Sequence, residues 1–494
     1  MALLLPSRRG ARKPNATALA DFGRAPTPPV AYKVPAAEAA RQVPPVSPPA
    51  ERGMLKTTLL LVPAHVVARV GEALWPLALA SWFGRSAATD AFNLGWSFFA
   101  FVGSLVFGAF QDSALVSLVV ETRLRRPQQL GALVGGLLLY TAAAGALLAL
   151  VFTGAGLVFF DAVYASGTAA FMKSMAPYFG LYLVLLGVRT YLVAVLNADN
   201  RFQLAPVGSA IALLAAAAFV WAARGRFGVV SVPMGTALGE ALHVAFLFFA
   251  LKRGATYTLE LTWKLPGRVW PILRQVLAAA GGGSVTRVNP IVDQHMATLV
   301  AVGGATMLRY SNDIATIPTS LLQAVFLPVL TSRLATAFSE KDERAFRSVT
   351  RRGELGSMAV LTAAALLLFL VRRPLLRFVL LRGEMDAEAV DRIASLVGYH
   401  LVGLPAFGLL LVQVRAFVCV GLSRVLLPMG FVNAALNLVF NLVLARWLGL
   451  EGIALATSAM NTSIALILFV ILRRRLRGFE QLASVVDEPD EAAA

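Results

Sequence analysis

Seven charged residues within long apolar stretches are the residues of this chain best suited to bind or move a ligand. A charge at the centre of a membrane span costs about 2.5–3.5 kcal/mol on insertion scales, so it persists where it faces protein, water or a ligand. The candidates are three arginines, Arg69, Arg287 and Arg309, and four acids, Glu72, Asp90, Asp293 and Asp313. Helical spacing places two pairs, Arg69–Glu72 and Arg309–Asp313, each on one helix face.

Arginine inside a cavity favours an anionic ligand, because guanidinium binds phosphate bidentately and stays charged where the dielectric constant is low. We therefore predict that Arg69, Arg287 and Arg309 bind a phosphorylated or otherwise anionic head group. The acids Glu72, Asp90, Asp293 and Asp313 would position these arginines or titrate during a transport cycle. A cavity dominated by the acids would favour small organic cations instead. Pairs that only hold a helix to its neighbours are the structural alternative.

Other chemistry finds little support in the sequence. The single cysteine, Cys419, cannot form an intramolecular disulfide, and the four histidines lack metal-ligand spacing. We find no phosphate-binding loop of the G-x-x-x-x-G-K-[ST] type and no G-x-S-x-G nucleophile motif. We therefore expect a protein that is not an enzyme and that carries no cofactor and no metal.

Composition places the candidate residues in a membrane protein. The chain has 494 residues, of which 58% are hydrophobic and 14% are charged, whereas soluble domains are roughly 45–50% apolar and about 25% charged. Apolar stretches of the length that spans a bilayer, roughly 20 residues, follow one another from about residue 56 to residue 473. Most of the net charge of +17 is then explained by basic residues concentrated on one side of a membrane, so it does not indicate a nucleic-acid partner.

Counting apolar stretches between Gly, Pro and charged breaks predicts twelve membrane spans. The predicted spans are 57–83, 90–119, 129–160, 170–198, 203–223, 227–251, 273–301, 307–336, 355–378, 391–421, 425–447 and 450–472. Most of the 44 Lys and Arg residues then fall on the side of the two termini, which the positive-inside rule places in the cytoplasm.

The same pattern predicts five regions. A disordered basic, Pro-rich cytoplasmic tail (1–55) precedes an N-terminal six-helix lobe (56–251), and a cytoplasmic connection (252–272) leads to a C-terminal six-helix lobe (273–473) and a cytoplasmic tail (474–494). Translation starting at Met54 would remove most of the first tail.

A weak internal repeat supports two similar halves. Arg69-Val70 is followed after 19 residues by Ala88-Thr89, and Arg287-Val288 is followed after 18 residues by Ala305-Thr306, each pair across a short Gly-containing turn. Such repeats are typical of transporters whose pathway lies between two bundles. A further stripe, Asn433, Asn437 and Asn441, predicts hydrogen bonds between helices.

Several stretches resemble one known family, the MurJ (MviN) lipid II flippases of the multidrug/oligosaccharidyl-lipid/polysaccharide (MOP) exporter superfamily. They are WFGRSAATDAF at 82–92, VNPIVDQHMAT at 288–298, GGATMLRYSNDIATIP at 303–318, PLLRFVLLRGEMDAEAV at 374–390, and two late spans at 411–428 and 433–458. The resemblance implies an all-α membrane fold of two pseudo-symmetric six-helix lobes, similar to the MATE transporters. It also implies transfer of a polyprenyl-pyrophosphate-linked glycan across the bacterial inner membrane, with cavity arginines on the pyrophosphate.

The resemblance carries over unevenly to the candidate residues. Arg69 matches the family's first-span cavity arginine, and Asp90 matches the aspartate of its "TDAF" motif. Three other cavity arginines of the family fall on Trp75, Gly103 and Asp313. Well-studied members also carry fourteen spans, against twelve predicted in this chain.

The sequence therefore predicts a MurJ-like flippase for a lipid-linked anionic oligosaccharide, either lipid II or a polysaccharide repeat unit, in contact with membrane lipids. One alternative is a cation-coupled, MATE-like exporter of small organic cations. Another is a degenerate transporter that acts as a scaffold for envelope-synthesis proteins.

Overall fold

A computed structural model describes residues 71, 74–111, 113–164, 166–255, 257–265 and 288–479. Every long regular element in these ranges is an α-helix, which confirms the predicted all-α class. In the first half the helices are α1 Leu74–Phe83, α2 Ala87–Gln111, α3 Ser113–Arg125, α4 Leu130–Val163, α5 Ser166–Ala198, α6 Leu204–Phe227 and α7 Ser231–Gly254. In the second half they are α8 Asn289–Val300, α9 Gly304–Ala315, α10 Ile317–Ser339, α11 Glu343–Leu380, α12 Ala387–Leu401, α13 Leu404–Cys419, α14 Leu426–Leu448 and α15 Leu450–Arg475.

Within the described ranges, eight continuous helical stretches are long and apolar enough to cross a membrane. The pair α12–α13, bent by 46°, would bring the number to nine. One of the eight, Leu204–Gly254, contains both α6 and α7, each of 24 residues. The chain is thus a multi-pass membrane protein, and the count of twelve spans stays a prediction.

Local sequence signals set several helix boundaries. Asp342 and Asp386 begin α11 and α12, and each side chain accepts a hydrogen bond from the backbone amide three residues later, as N-cap residues do. Gly228 ends α6 and Gly449 separates α14 from α15, both with a positive φ that glycine adopts readily. These short breaks let α6 pack against α7 and α14 pack against α15.

The helices pack mainly within each half of the chain. In the first half α5 contacts α2, α4 and α7, and in the second half α11 contacts α12 and α13, while α13 also contacts α15. Contact between the halves comes mainly from α2, which packs against α8 and α9. The predicted lobe boundaries at 251 and 273 remain predictions.

The described part of the connection after α7 follows the surface of α4 as an extended segment. The Glu260 amide donates to the Gly131 carbonyl at 3.2 Å, and the Tyr140 hydroxyl donates to the Trp263 carbonyl at 2.8 Å. Its exposed residues include Leu261 and Trp263. This placement fits a segment at a membrane interface, where tryptophan is enriched.

Candidate transport cavity

A cavity of about 540 Å³ lies between α2 of the first half and helices of the second half. The first half contributes one face of α2, with Trp96, Ser97, Ala100, Phe101 and Ser104. The second half contributes residues of α8, α9, α10, α12, α13 and α15, among them Asn289, Asp293, Gln294, Arg309, Asn312, Asp313, Thr319, His400, Phe407 and Asn461. The volume lies within the range of about 300–1,000 Å³ that is usual for small-ligand sites.

Two equivalent helices form the principal walls of this cavity. Gly84 precedes α2 and Gly303 precedes α9, both with positive φ, and Thr89 and Thr306 are each the third residue of their helix. The correspondence that the sequence repeat predicted for Ala88-Thr89 and Ala305-Thr306 is therefore present in the helices themselves. Each half thus contributes one of these two similar helices to the cavity lining.

Arg309 and Asp313 both line the cavity, one turn apart on α9. The Arg309 Nε atom lies 3.7 Å from Asp313 Oδ2, and 24% of the arginine side chain and 43% of the aspartate side chain are exposed. The pair is thus an ion pair rather than a hydrogen bond. Arg309 lies in the cavity lining with part of its charge balanced by its neighbour, and its binding of a head group stays a prediction.

Asp293 lines the same cavity from α8 and is held by the asparagine stripe of α14. Its carboxylate accepts hydrogen bonds from the amides of Asn437 at 2.9 Å and Asn441 at 2.6 Å, and Thr457 Oγ1 lies 3.4 Å away. The third member of the stripe, Asn433, accepts from the Asn289 amide at 2.6 Å. The predicted interhelical role of the stripe is confirmed.

Asp90 lies at one end of the cavity, outside its lining. Its two carboxylate oxygens accept from the backbone amides of Gly303 at 2.7 Å and Thr306 at 2.9 Å, and from the Thr306 hydroxyl at 2.8 Å. The residue before α9, Gly303, has no side chain that could cap the helix. Asp90 therefore caps α9 from the other half of the chain.

Further contacts join the halves at this end, which we call the closed end and define by the segments 81–93, 303–306 and 382–388. The Asn93 amide donates to Thr306 Oγ1 at 3.0 Å, and Arg85 lies 3.3 Å from Asp386 and 3.4 Å from Glu388. Deeper along α2, the Ser97 hydroxyl donates to Gln294 at 2.9 Å. The cavity begins directly beyond these contacts.

Backbone approach at the closed end depends on two glycines. The Glu384 amide donates to the Ser81 carbonyl at 3.0 Å. A Cβ atom on Gly383 would lie 2.0 Å from that same carbonyl oxygen, and one on Gly84 would lie 2.3 Å from the Glu384 carbonyl oxygen. Any side chain at either position would separate the two segments.

Three predicted site residues, Arg69, Glu72 and Arg287, lie outside the described residues. All three positions at which the resemblance expects further cavity arginines are described, and of these Asp313 lines the cavity while the other two do not. Trp75 packs edge-on against Trp82 with ring centroids 6.3 Å apart. Gly103 faces α5, where a Cβ atom would lie 2.5 Å from Leu186, so this position belongs to the packing of the first half.

Sequence reasoning missed several polar cavity residues, among them Asn312, His400 and Asn461. None of them belongs to an ion pair or a repeated stripe of like residues, which are the signals that marked the other candidates. Within the described ranges, no group of three or more His, Cys, Asp or Glu side chains could hold a metal ion.

Paired helical halves, joined at one end next to a cavity with both polar and apolar lining, define a membrane transporter of the MOP type. A solved structure of the lipid II flippase MurJ in an inward closed conformation matches with a TM-score of 0.70 at 16% identity, over 86% of this chain and 90% of that chain. An inward-facing multidrug resistance MATE family transporter matches with a TM-score of 0.70 at 14% identity, over 84% of this chain and 96% of that chain.

Comparison of the amino-acid sequence with known families identifies the family. The family model described as "Lipid II flippase MurJ" matches residues 79–487, so the chain belongs to the MurJ family. A probable lipid II flippase MurJ of Rhizobium meliloti (strain 1021) is 24% identical over 312 residues, which cover 62% of this chain. That match spans 57% of the length of the Rhizobium protein.

Proposed function

We propose that this protein moves a polyprenyl-diphosphate-linked saccharide, either lipid II or a polysaccharide repeat unit, from the inner to the outer leaflet of a bacterial inner membrane. The observation that carries the proposal is the family match over residues 79–487, together with a cavity that lies between the halves and contains an exposed part of Arg309. Guanidinium at this site suits the diphosphate of such a lipid.

Alternating access is the mechanism that this arrangement supports. The contacts of Asp90, Asn93 and Arg85 hold the halves together at the closed end, so a substrate released on that side requires them to separate. In the predicted orientation, with both termini in the cytoplasm, the closed end faces outward. The cavity is then loaded from the inner leaflet while these contacts are intact.

Arg69 and Arg287 remain part of the proposed head-group site. Each would add a guanidinium beside the Arg309–Asp313 pair, in which the arginine is already partly neutralised. The acids Glu72, Asp293 and Asp313 are proposed to balance these charges as the cavity opens first to one side of the membrane and then to the other. Asp90 is proposed to act by joining the halves, through its bonds to α9.

Complementation tests the proposal directly. We would express the chain in a bacterium depleted of its own lipid II flippase and score lysis and the accumulation of lipid II in the inner leaflet. Rescue would identify lipid II as a cargo. Failure with well-expressed membrane protein would exclude lipid II and leave a polysaccharide repeat unit or the scaffold role.

Variants separate the role of the arginines from that of the fold. Arg309→Ala and Arg69→Ala should each abolish rescue while the amount of protein in the membrane stays normal. The matched control is Arg446→Ala, because Arg446 is exposed in the last turn of α14 and lies outside the cavity lining. Full rescue by the double variant of Arg69 and Arg309 would remove the head-group assignment.

Export of small organic cations is a second candidate function. The observation that favours it is the charge of the described lining, in which the two carboxylates of Asp293 and Asp313 face one guanidinium. Cells that express the chain would then clear ethidium faster than cells that express Asp313→Asn. Equal clearance in both strains would remove this candidate.

A further inference from the structure

The described cavity wall has uncharged hydrogen-bonding groups that the protein itself leaves without a partner. Asn312 on α9 and Asn461 on α15 line the cavity and are half-buried. Neither side-chain amide bonds another of the described residues, in contrast to the asparagines of α14. These two amides are therefore available to a ligand.

Each charge of the described wall already has a partner within the protein. Asp293 accepts from its asparagine donors, and Arg309 lies beside Asp313. A diphosphate only accepts hydrogen bonds, so it would use the NH2 groups of Asn312 and Asn461 and leave their carbonyl oxygens without a donor, while it faces two carboxylates and one partly neutralised cation. A sugar hydroxyl both donates and accepts, as a carboxamide does. These wall residues thus suit a sugar better than a diphosphate.

Aromatic side chains complete the chemistry of a sugar site. Trp96 of α2 and Phe407 of α13 both line the cavity. The Trp96 ring is supported by Tyr182, with centroids 5.0 Å apart. Such rings offer apolar faces to the C–H groups of a sugar, while the amides take its hydroxyls.

We propose that Asn312 and Asn461 form a saccharide subsite, which binds the uncharged sugar next to the diphosphate of the lipid-linked substrate. This inference rests on the proposed function and adds where the sugar lies. The diphosphate is then bound by Arg309, which lines the same cavity.

Binding of two defined lipids to the purified full chain in nanodiscs tests the subsite. Undecaprenyl diphosphate carries no sugar, whereas undecaprenyl diphosphate N-acetylglucosamine carries one. We expect the wild-type protein to bind the sugar-bearing lipid at least roughly threefold to tenfold more tightly, the ratio that one net hydrogen bond provides. Asn312→Ala and Asn461→Ala should each reduce that ratio while the Kd for undecaprenyl diphosphate stays unchanged.

The unchanged Kd for the bare lipid also reports that each variant is folded. Asn197→Ala is the matched control, because Asn197 is a half-buried asparagine at the end of α5 and lies outside the cavity lining. It should keep the wild-type ratio. Asn312→Ser, which retains a hydroxyl, should fall between wild type and Asn312→Ala.

The outcomes separate the subsite from the proposed function. Equal affinity of the wild-type protein for the two lipids would overturn the subsite and leave the function standing. Variants that weaken the binding of both lipids equally would also overturn the subsite, since they would act through the fold. Failure of the wild-type protein to bind either lipid would overturn the proposed function and, with it, the subsite.

Discussion

Asp90 on α2 and Thr306 on α9 join the two halves of the molecule, since one carboxylate oxygen of Asp90 accepts from the Thr306 amide at 2.9 Å and from its hydroxyl at 2.8 Å. The first amides of a helix have no partner inside it and carry partial positive charge. The Asp90 carboxylate, from the other half, supplies the hydrogen-bond acceptors that the first amides of α9 lack. Separation of the halves at this end must therefore break a helix cap.

Removing this cap should open the closed end more often. We expect Asp90→Ala to cost about 0.5–2 kcal/mol, the usual range for loss of an N-cap. The measurement is the labelling rate of Ala100→Cys, a cavity position, by an impermeant maleimide added outside cells, in a Cys419→Ala background. The rate should rise severalfold.

Asp161→Ala is the control for this prediction, because Asp161 is an exposed acid, and neither it nor its partner Lys173 belongs to the closed-end segments. Its labelling rate should equal that of the parent protein. An unchanged rate in Asp90→Ala would mean that the cap does not limit opening.

The ion pairs of Arg85 provide a second test of the closed end. Arg85 is 22% exposed and meets the more exposed Asp386 and Glu388, so each pair should contribute less than about 1 kcal/mol. Arg85→Glu places three negative charges together and should increase labelling of Ala100→Cys, most strongly at low salt. Adding Glu388→Arg should restore the parent rate.

Asp386 is left intact in this experiment, because its side chain also caps α12 through the Ala389 amide. A control with Glu388→Arg alone should raise the rate, since it places like charges at Arg85. Additive effects of the two single changes would show that the residues do not interact.

Gly383 should tolerate no side chain. Its φ is +63°, and a Cβ atom would lie 2.0 Å from the Ser81 carbonyl oxygen, so Gly383→Ala adds a backbone clash to a left-handed penalty of about 1–2 kcal/mol. We expect a lower apparent Tm in detergent, measured by fluorescence-detected size exclusion, and faster labelling of Ala100→Cys.

Gly356→Ala is the matched control for this substitution. Gly356 lies in α11, is exposed, and has open space where a Cβ atom would be added. Alanine in an exposed helix is favoured over glycine by up to about 1 kcal/mol, so its apparent Tm should be equal or higher. A Gly383→Ala protein as stable as Gly356→Ala would contradict the close approach.

The sequence predicts the helices, and the equivalent starts of α2 and α9, better than it predicts which side chains bond between helices. Apolar length defines α4 and α5, and the repeated Ala-Thr pairs place Thr89 and Thr306 at equivalent helix positions. The sequence does not predict the partner of Asp90. Asp90 bonds mainly to backbone amides at the start of α9, and backbone amides leave no side-chain pattern in the sequence.

The asparagine stripe shows the same limit. Its spacing of four residues indicates one helix face, and hydrogen bonds between helices follow from that. The sequence does not join this stripe to Asp293, which lies 144 and 148 positions before Asn437 and Asn441. The cavity residues Asn312 and Asn461 lie on different helices, α9 and α15, so only packing, which the sequence does not show, places both in one cavity lining.

Loss of Asn441 should destabilise the protein more than loss of Asn433. Asn441 donates to the Asp293 carboxylate at 2.6 Å, whereas Asn433 accepts from the neutral Asn289 amide. Hydrogen bonds to a charged group contribute about 1.5–3 kcal/mol against about 0.5–1.5 kcal/mol for neutral ones. The apparent Tm in detergent should therefore fall further for Asn441→Leu than for Asn433→Leu.

A double-mutant cycle identifies the carboxylate as the cause. In an Asp293→Asn background no charge is left to stabilise, so Asn441→Leu should lower the apparent Tm by less than it does in the parent protein. The cost of Asn433→Leu should be the same in both backgrounds, because its partner Asn289 is unchanged. If Asn441→Leu costs as much in the Asp293→Asn background as in the parent protein, the difference between the two asparagines comes from packing rather than from the buried charge.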